Sequence, residues 1–147
     1  MATGPWQIYQ SLPKKVADGA VISSHSFVAL LLSSAYTPSV STHAVLADIV
    51  ANELAAANGY ARQTLTGVAV TQSGANTSFS CNPIVFGPAT GAGFAARYAA
   101  IFDDTPVGDP LLCVQLLDTT PADISVAAGV QLQLTPHANG VFRYVIV

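Results

Sequence analysis

The apolar positions of this chain come mostly in short runs separated by Gly, Pro, Asn and Asp, and the period within the runs changes once. Ser26 to Ser33 carries the run Phe27-Val28-Ala29-Leu30-Leu31-Leu32 and is closed by Tyr36-Thr37-Pro38. A continuous apolar stretch bounded by turn residues reads as a buried strand central to the core. Val45, Leu46, Ile49, Val50 and Leu54 then recur at spacings of one, three and four behind the capping candidates Ser41 and Thr42. That spacing puts them on one face and predicts a helix from about His43 to Ala57, ended by Asn58-Gly59, which tolerate the left-handed backbone of a helix C-terminus.

Beyond Gly59 the period falls to two. Leu65, Val68 and Val70 sit among Thr and Gly, Gln72 to Asn76 reads as a hairpin loop, and Thr77 to Phe86 as the returning strand. Gly87 to Gly93 is turn chemistry, followed by an expected strand over Phe94 to Phe102 that stops at Asp103-Asp104-Thr105-Pro106. Leu111 to Leu117, Gly129 to Leu134 and Val141 to Val147 complete about seven strands, connected through Pro121-Ala122-Asp123 and Pro136 to Gly140. Each sheet must bury one apolar face, so the pattern predicts a mainly β fold: an antiparallel β-sandwich with one α-helix closing an end. Residues 21–147 are expected to form this single domain. Residues 1–20 mix Trp6, Ile8, Tyr9 and Leu12 with Pro13, Lys14 and Lys15, fit neither period, and read as an N-terminal arm that docks on a neighbour.

Composition changes the picture more than length does. The 147 residues are 51% hydrophobic and only 9% charged, against about 25% charged in an average soluble domain. So few charges leave apolar surface to be hidden against other chains, which points to assembly. The longest apolar run is far short of the roughly 20 residues needed to span a bilayer, so no membrane partner is expected. Five basic against eight acidic side chains, a net charge of −3, offer no basic patch for phosphates, so no nucleic-acid partner is expected either. The N-terminal residues lack a basic segment followed by an apolar one, so no secretory signal is expected, and the protein is expected to stay in the cell that makes it.

Candidate chemistry is sparse. Cys81 and Cys113 are expected to be free and buried, because thiols stay reduced in a cytoplasm and Cys is a common small core residue. Neither has a His or a second Cys within four residues, so no metal site is expected. A catalytic constellation would draw on His25, His43 or His137 with Asp48, Asp103 or Asp104, but no nucleophile elbow, zinc motif or phosphate loop accompanies them. Asp103-Asp104, with Asp109 across the loop, could hold a hard cation; turn chemistry, with an Asp accepting a backbone N–H, is the commoner use of this pattern. No catalytic residue and no cofactor is therefore expected. The aromatic residues Trp6, Tyr9, Tyr36 and Tyr98 read as core or interface anchors, and Arg97, inside an apolar strand, as a charge paired with an acid within an interface.

Phe27 to Leu31, Ser34-Ala35-Tyr36-Thr37-Pro38, Thr42-His43, Asn58-Gly59-Tyr60, Leu65-Thr66-Gly67 with Val70-Thr71, and above all Ala96-Arg97-Tyr98-Ala99-Ala100-Ile101-Phe102-Asp103-Asp104-Thr105 before Pro110-Leu111-Leu112 resemble a family of small tailed-bacteriophage virion structural proteins. The resemblance runs from about Phe27 to the C-terminus; the first twenty residues and the low charge depart from the family pattern. It implies a non-enzymatic, oligomeric β-sandwich of the head decoration or cement kind, made in the bacterial host cytoplasm and placed on the outer capsid surface of the virion. The implied partners are the major capsid protein and copies of the chain itself. A neck or tail adaptor remains an alternative, as does a receptor- or carbohydrate-binding module of a tail fibre, which would show a groove lined by Trp6 and tyrosines. A small hydrolase would need a buried His–acid pair beside a nucleophile such as Ser24 or Cys81.

Overall fold

Phe27–Leu32, strand β2 of a computed structural model that describes residues 2–145, is buried at all six positions. A strand covered on one face alternates apolar and polar residues; an unbroken apolar run is what a strand covered on both faces requires. Phe27, Ala29 and Leu31 enter one core, while Val28, Leu30 and Leu32 enter a second on the opposite face.

β2 lies in a five-stranded antiparallel sheet with β1 (Trp6–Ile8), β3 (Gln63–Thr64), β8 (Tyr98–Asp103) and β9 (Leu111–Leu116), in the order β1-β9-β8-β2-β3. The first core is covered by three small antiparallel sheets. These are β4 (Ala69–Ser73) and β12 (Phe142–Val145) on either side of β5 (Asn76–Ser80), β6 (Ile84–Phe86) with β11 (Leu132–Leu134), and β7 (Phe94–Ala96) with β10 (Ile124–Val126). They contribute Phe79, Ile84, Phe86, Ala96 and Leu134. The second core is covered by the segment after β2, through Tyr36, Leu46 and Ile49. The fold is mainly β and antiparallel throughout, with twelve strands among the described residues in four sheets rather than about seven in two.

Two of the extra strands come from places where one expected strand serves two sheets, while β1 and β10 form in stretches where no strand was expected. Phe94 to Phe102 divides at Arg97, whose N–H donates to Leu32 O, so β7 leaves for β10 while β8 stays beside β2. Thr77 to Phe86 divides the same way into β5 and β6, separated at Cys81-Asn82-Pro83. The β4–β5 hairpin matches its expected loop and turns through Gly74-Ala75, with Gly74 at a φ of 58°. The last expected strand ends within the described residues at Val145; Ile146 and Val147 lie outside them.

The helix expected over His43 to Ala57 is absent. Its place is taken by two 3-10 turns, Leu46–Asp48 and Val50–Asn52. Tertiary bonds overrule the helical spacing here. Val45 is extended and bridges Pro110 at one end, Leu46 N donates to Asp109 O, and at the other end Glu53 bridges Leu32 and Leu54 N donates to Leu31 O. A continuous helix satisfies its interior backbone groups within itself and could not join both sheet borders. Leu46 and Ile49 still anchor the segment on the second core. Asn58 and Gly59 do take positive φ, 52° and 82°, but as a turn that closes no helix.

The helix that does form, α1 (Leu12–Ala17), lies in the N-terminal stretch, with Pro13 in its first turn, where a missing N–H costs nothing. That stretch docks on its own domain: β1 pairs with β9, and Tyr9 and Leu12 are buried in the chain's own cores.

Candidate functional site

Tyr9, Tyr36 and Tyr98 meet on the second face of the central sheet. Both phenol oxygens of Tyr9 and Tyr36 are buried and lie 2.9 Å apart, and Tyr36 Oη is 3.0 Å from His43 Nδ1. The Tyr98 ring packs edge-on against Tyr36 at 5.5 Å. Burial pushes both the Tyr9 and the Tyr36 hydroxyl above the ordinary phenol range. Tyr9 and Tyr36 therefore anchor this chain's own core. Trp6 is partly buried against the first core. Arg97 Nε donates to Asp123 Oδ1 at 2.8 Å, so the acid that Arg97 pairs with belongs to the same chain. A groove beside β1 is lined by Gln7, Pro38 and Tyr98 and takes in neither Trp6 nor a second tyrosine.

The three histidines stay apart. His25 Nδ1 is 2.6 Å from Oδ2 of Asp103, whose side chain is fully buried, and Thr105 N–H donates to Asp103 Oδ1 at 3.1 Å. The Asp103-Asp104 pair thus carries the expected turn bond. Asp48 Oδ2 accepts N–H bonds from Ala44 and Val45, which hold its carboxyl below the usual carboxylate range. His137 sits exposed in a turn and accepts from Asn139 N–H. Among the described residues neither Ser24 nor Cys81 hydrogen-bonds to the His25–Asp103 pair, and no group of three His, Cys, Asp or Glu side chains converges as metal ligands would. Cys81 and Cys113 are free thiols, but only Cys113 is buried as expected; Cys81 is partly exposed. Burial pushes Cys81 up to about 11 and Cys113 well above its ordinary value, which disfavours the nucleophilic thiolate in both.

One apolar cleft in the surface was not legible in the sequence. A cleft of about 450 Å³ opens between α1, residues 21–23 and the β4–β5–β12 sheet. Leu12, Phe27, Phe79 and Leu112 form a buried floor, and Phe142 stacks on Phe79 at 5.0 Å. Val16, Ile22 and Val70 stand on its rim at 45%, 45% and 48% exposure, three of the six large apolar side chains exposed among the described residues. The Tyr144 hydroxyl, on another wall, is buried and has no hydrogen-bond partner among the described residues. The residues responsible come from four separated parts of the chain, which no local period joins. The only sequence signal was Val16, in the stretch that fitted neither helix nor strand, and Val21-Ile22 just after it.

Among the described residues no helix is long and apolar enough to cross a membrane. No protein-family model matches the chain, and no curated protein or solved structure does so either.

Proposed function

We propose that this chain is a structural protein of a tailed-bacteriophage virion, a decoration or cement protein that binds the outer head shell and copies of itself. The observation that carries the reading is the apolar rim of Val16, Ile22 and Val70 around an open cleft, on a chain with only 9% charged residues. Half-exposed aliphatic side chains gathered at one concavity lose water favourably only when another surface covers them. The resemblance of the segments from Phe27 onward to small phage virion proteins supplies the address. A protein bridging adjacent capsomers adds buried area where packaged DNA presses outward. At roughly 25 cal/mol per Å² of apolar area, modest contacts repeated over a symmetric shell sum to a large stabilisation. Such contacts are expected to survive high salt, because screening acts on charges.

Electron cryo-microscopy of the intact particle tests this. Density for the chain at capsomer junctions is the expected result. Density only on the tail axis would move the assignment to an adaptor or receptor-binding part, and absence of the chain from purified particles would overturn the virion reading altogether.

A further inference from the structure

Tyr9 is wholly buried, and Tyr36 Oη, 2.9 Å away, is the hydrogen-bond partner of its hydroxyl among the described residues. A buried hydroxyl proton without an acceptor is costly, so Tyr9 donates to Tyr36. Tyr36 has one hydroxyl proton of its own to place. With Tyr9 acting as a donor to its oxygen, that proton goes to the other partner, His43 Nδ1 at 3.0 Å. An imidazole nitrogen that accepts is unprotonated, which puts the ring proton on Nε2 and leaves His43 neutral. The hydrogen bonds thus run in one direction, from Tyr9 to Tyr36 to His43.

A proton added to Nδ1 breaks this order. Nδ1–H would have to donate to Tyr36 and Tyr36 to Tyr9, leaving the Tyr9 proton in the core with no acceptor among the described residues. Otherwise the half-buried His43 ring must swing away, and the Tyr36 proton loses its acceptor.

The charges around His43 do not lift the conflict. Asp48, on the same segment, attracts an imidazolium, but it is exposed, where attraction is screened, and its Oδ2 is taken by the N–H groups of Ala44 and Val45. Lys15, from α1, donates to Ala44 O beside His43 and opposes a second cation there. Asp109, from the β8–β9 loop, meets this segment through its carbonyl, which accepts from Leu46 N–H. Tyr98, from β8, packs edge-on against Tyr36.

Two parts of the fold hang on these bonds. Tyr36 belongs to the segment that covers the second core. Gln10, next to Tyr9, donates its N–H to Val40 O of that segment, and His43 N–H donates to Ser39 O within it. We infer that Tyr9, Tyr36 and His43 form a pH-sensitive latch: with His43 neutral it holds the 36–43 segment and the N-terminal stretch together over the second core, and protonation of His43 releases them. The unfolded chain binds a proton on His43 that the latched chain does not, so stability falls as pH drops through the imidazole range.

Urea unfolding of the purified chain at about pH 7.5 and about pH 5, on either side of the imidazole range, tests this. Between the two, the wild-type folding constant is expected to fall about tenfold further than that of His43→Asn, whose amide oxygen replaces Nδ1 as acceptor and gains no charge. Tyr9→Phe combined with Tyr36→Phe removes both hydroxyls and leaves no unpaired proton in the core, so this double variant is expected to respond to pH as His43→Asn does. His25, His137 and the carboxylates are common to all three proteins, so the difference belongs to His43. Nitrogen NMR is expected to find the Nε2–H tautomer of His43 at about pH 7.5. Hydrogen exchange is expected to find the Gln10 and His43 amides losing protection in acid while those of β2 keep theirs. A wild type whose pH response equals that of either folded variant, an Nδ1–H tautomer at neutral pH, or a protonated His43 with both amides still protected would each overturn the latch.

Discussion

His25 Nδ1 lies 2.6 Å from the Oδ2 of Asp103, the fully buried carboxylate at the end of β8, and so ties the segment before β2 to the strand that β2 pairs with. Replacing His25 by Ala removes one of the two side-chain and backbone partners of a fully buried carboxylate. An unsatisfied buried acceptor costs about 1–3 kcal/mol. Urea unfolding of His25→Ala is expected to show a loss in that range, and a change below about 0.5 kcal/mol would mean the carboxylate finds another donor.

Alkaline pH is expected to unfold this protein earlier than its apolar composition suggests. Burial raises the Tyr9, Tyr36 and Tyr60 hydroxyls above the ordinary phenol range. The unfolded chain releases these protons near pH 10 while the folded chain keeps them, so stability is full below about pH 10 and falls as pH rises beyond it. Thermal melts across that range, with tyrosinate absorbance followed in parallel, are expected to show the melting temperature dropping before the phenols titrate in the folded state. A melting temperature flat through this range would contradict the burial of these hydroxyls.

Asp48 is exposed but holds the N–H groups of Ala44 and Val45, and these bonds lower its carboxyl pKa. Its contribution is present above the ordinary carboxylate range and lost as pH falls through the lowered value. In Asp48→Ala the amides of Ala44 and Val45 are expected to exchange hydrogen faster, while those of β2 stay protected. Unchanged exchange at both residues would show that the bridge from Val45 to Pro110 holds the segment without the carboxylate.

Gly59 and Gly74 both take positive φ, yet a side chain would meet very different surroundings. A Cβ at Gly59 would stand 2.3 Å from Pro88 O, whereas at Gly74 it meets nothing within 4 Å. Gly74→Ala therefore adds only left-handed backbone strain, about 1–2 kcal/mol, and Gly59→Ala adds a backbone clash to the same strain. Chemical unfolding is expected to rank Gly59→Ala as clearly the more destabilising; equal losses would mean the Pro88 turn gives way freely.

Tyr60 joins three parts of the fold, accepting from Leu31 N–H at 3.0 Å and donating to Glu53 Oε1 at 2.8 Å. Tyr60→Phe leaves the Leu31 amide without that partner inside the core. A loss of about 1–3 kcal/mol is expected in denaturant titration, with the Glu53–Arg62 ion pair intact; no loss would indicate that the strand shifts to satisfy the amide elsewhere.

Where a segment's neighbours are its own next residues, the sequence was legible. The apolar run of β2 announced burial, the two-residue period around Gly74 announced a hairpin, and Asp103-Asp104-Thr105-Pro106 announced a turn closed by an Asp side chain. The 43–57 segment misled because its apolar spacing, which suits a helical face, also lets Leu46 and Ile49 sit on a sheet while the backbone between them bonds elsewhere. Arg97 was legible as a paired charge; that its partner Asp123 lies 26 residues away in the same chain was not.

By itself the sequence determined a mainly β, antiparallel chain with too few charges to cover an ordinary surface, because strand period, turn residues and composition act locally or in sum. Only the tertiary structure decided that the N-terminal stretch is a strand and helix of the same domain, that Tyr9 and Tyr36 are core, and that Val16, Ile22, Val70 and Tyr144 surround one cleft. Those outcomes depend on which strand edges and faces meet across long separations, and burial energy is indifferent to the order in which the contributing residues occur along the chain.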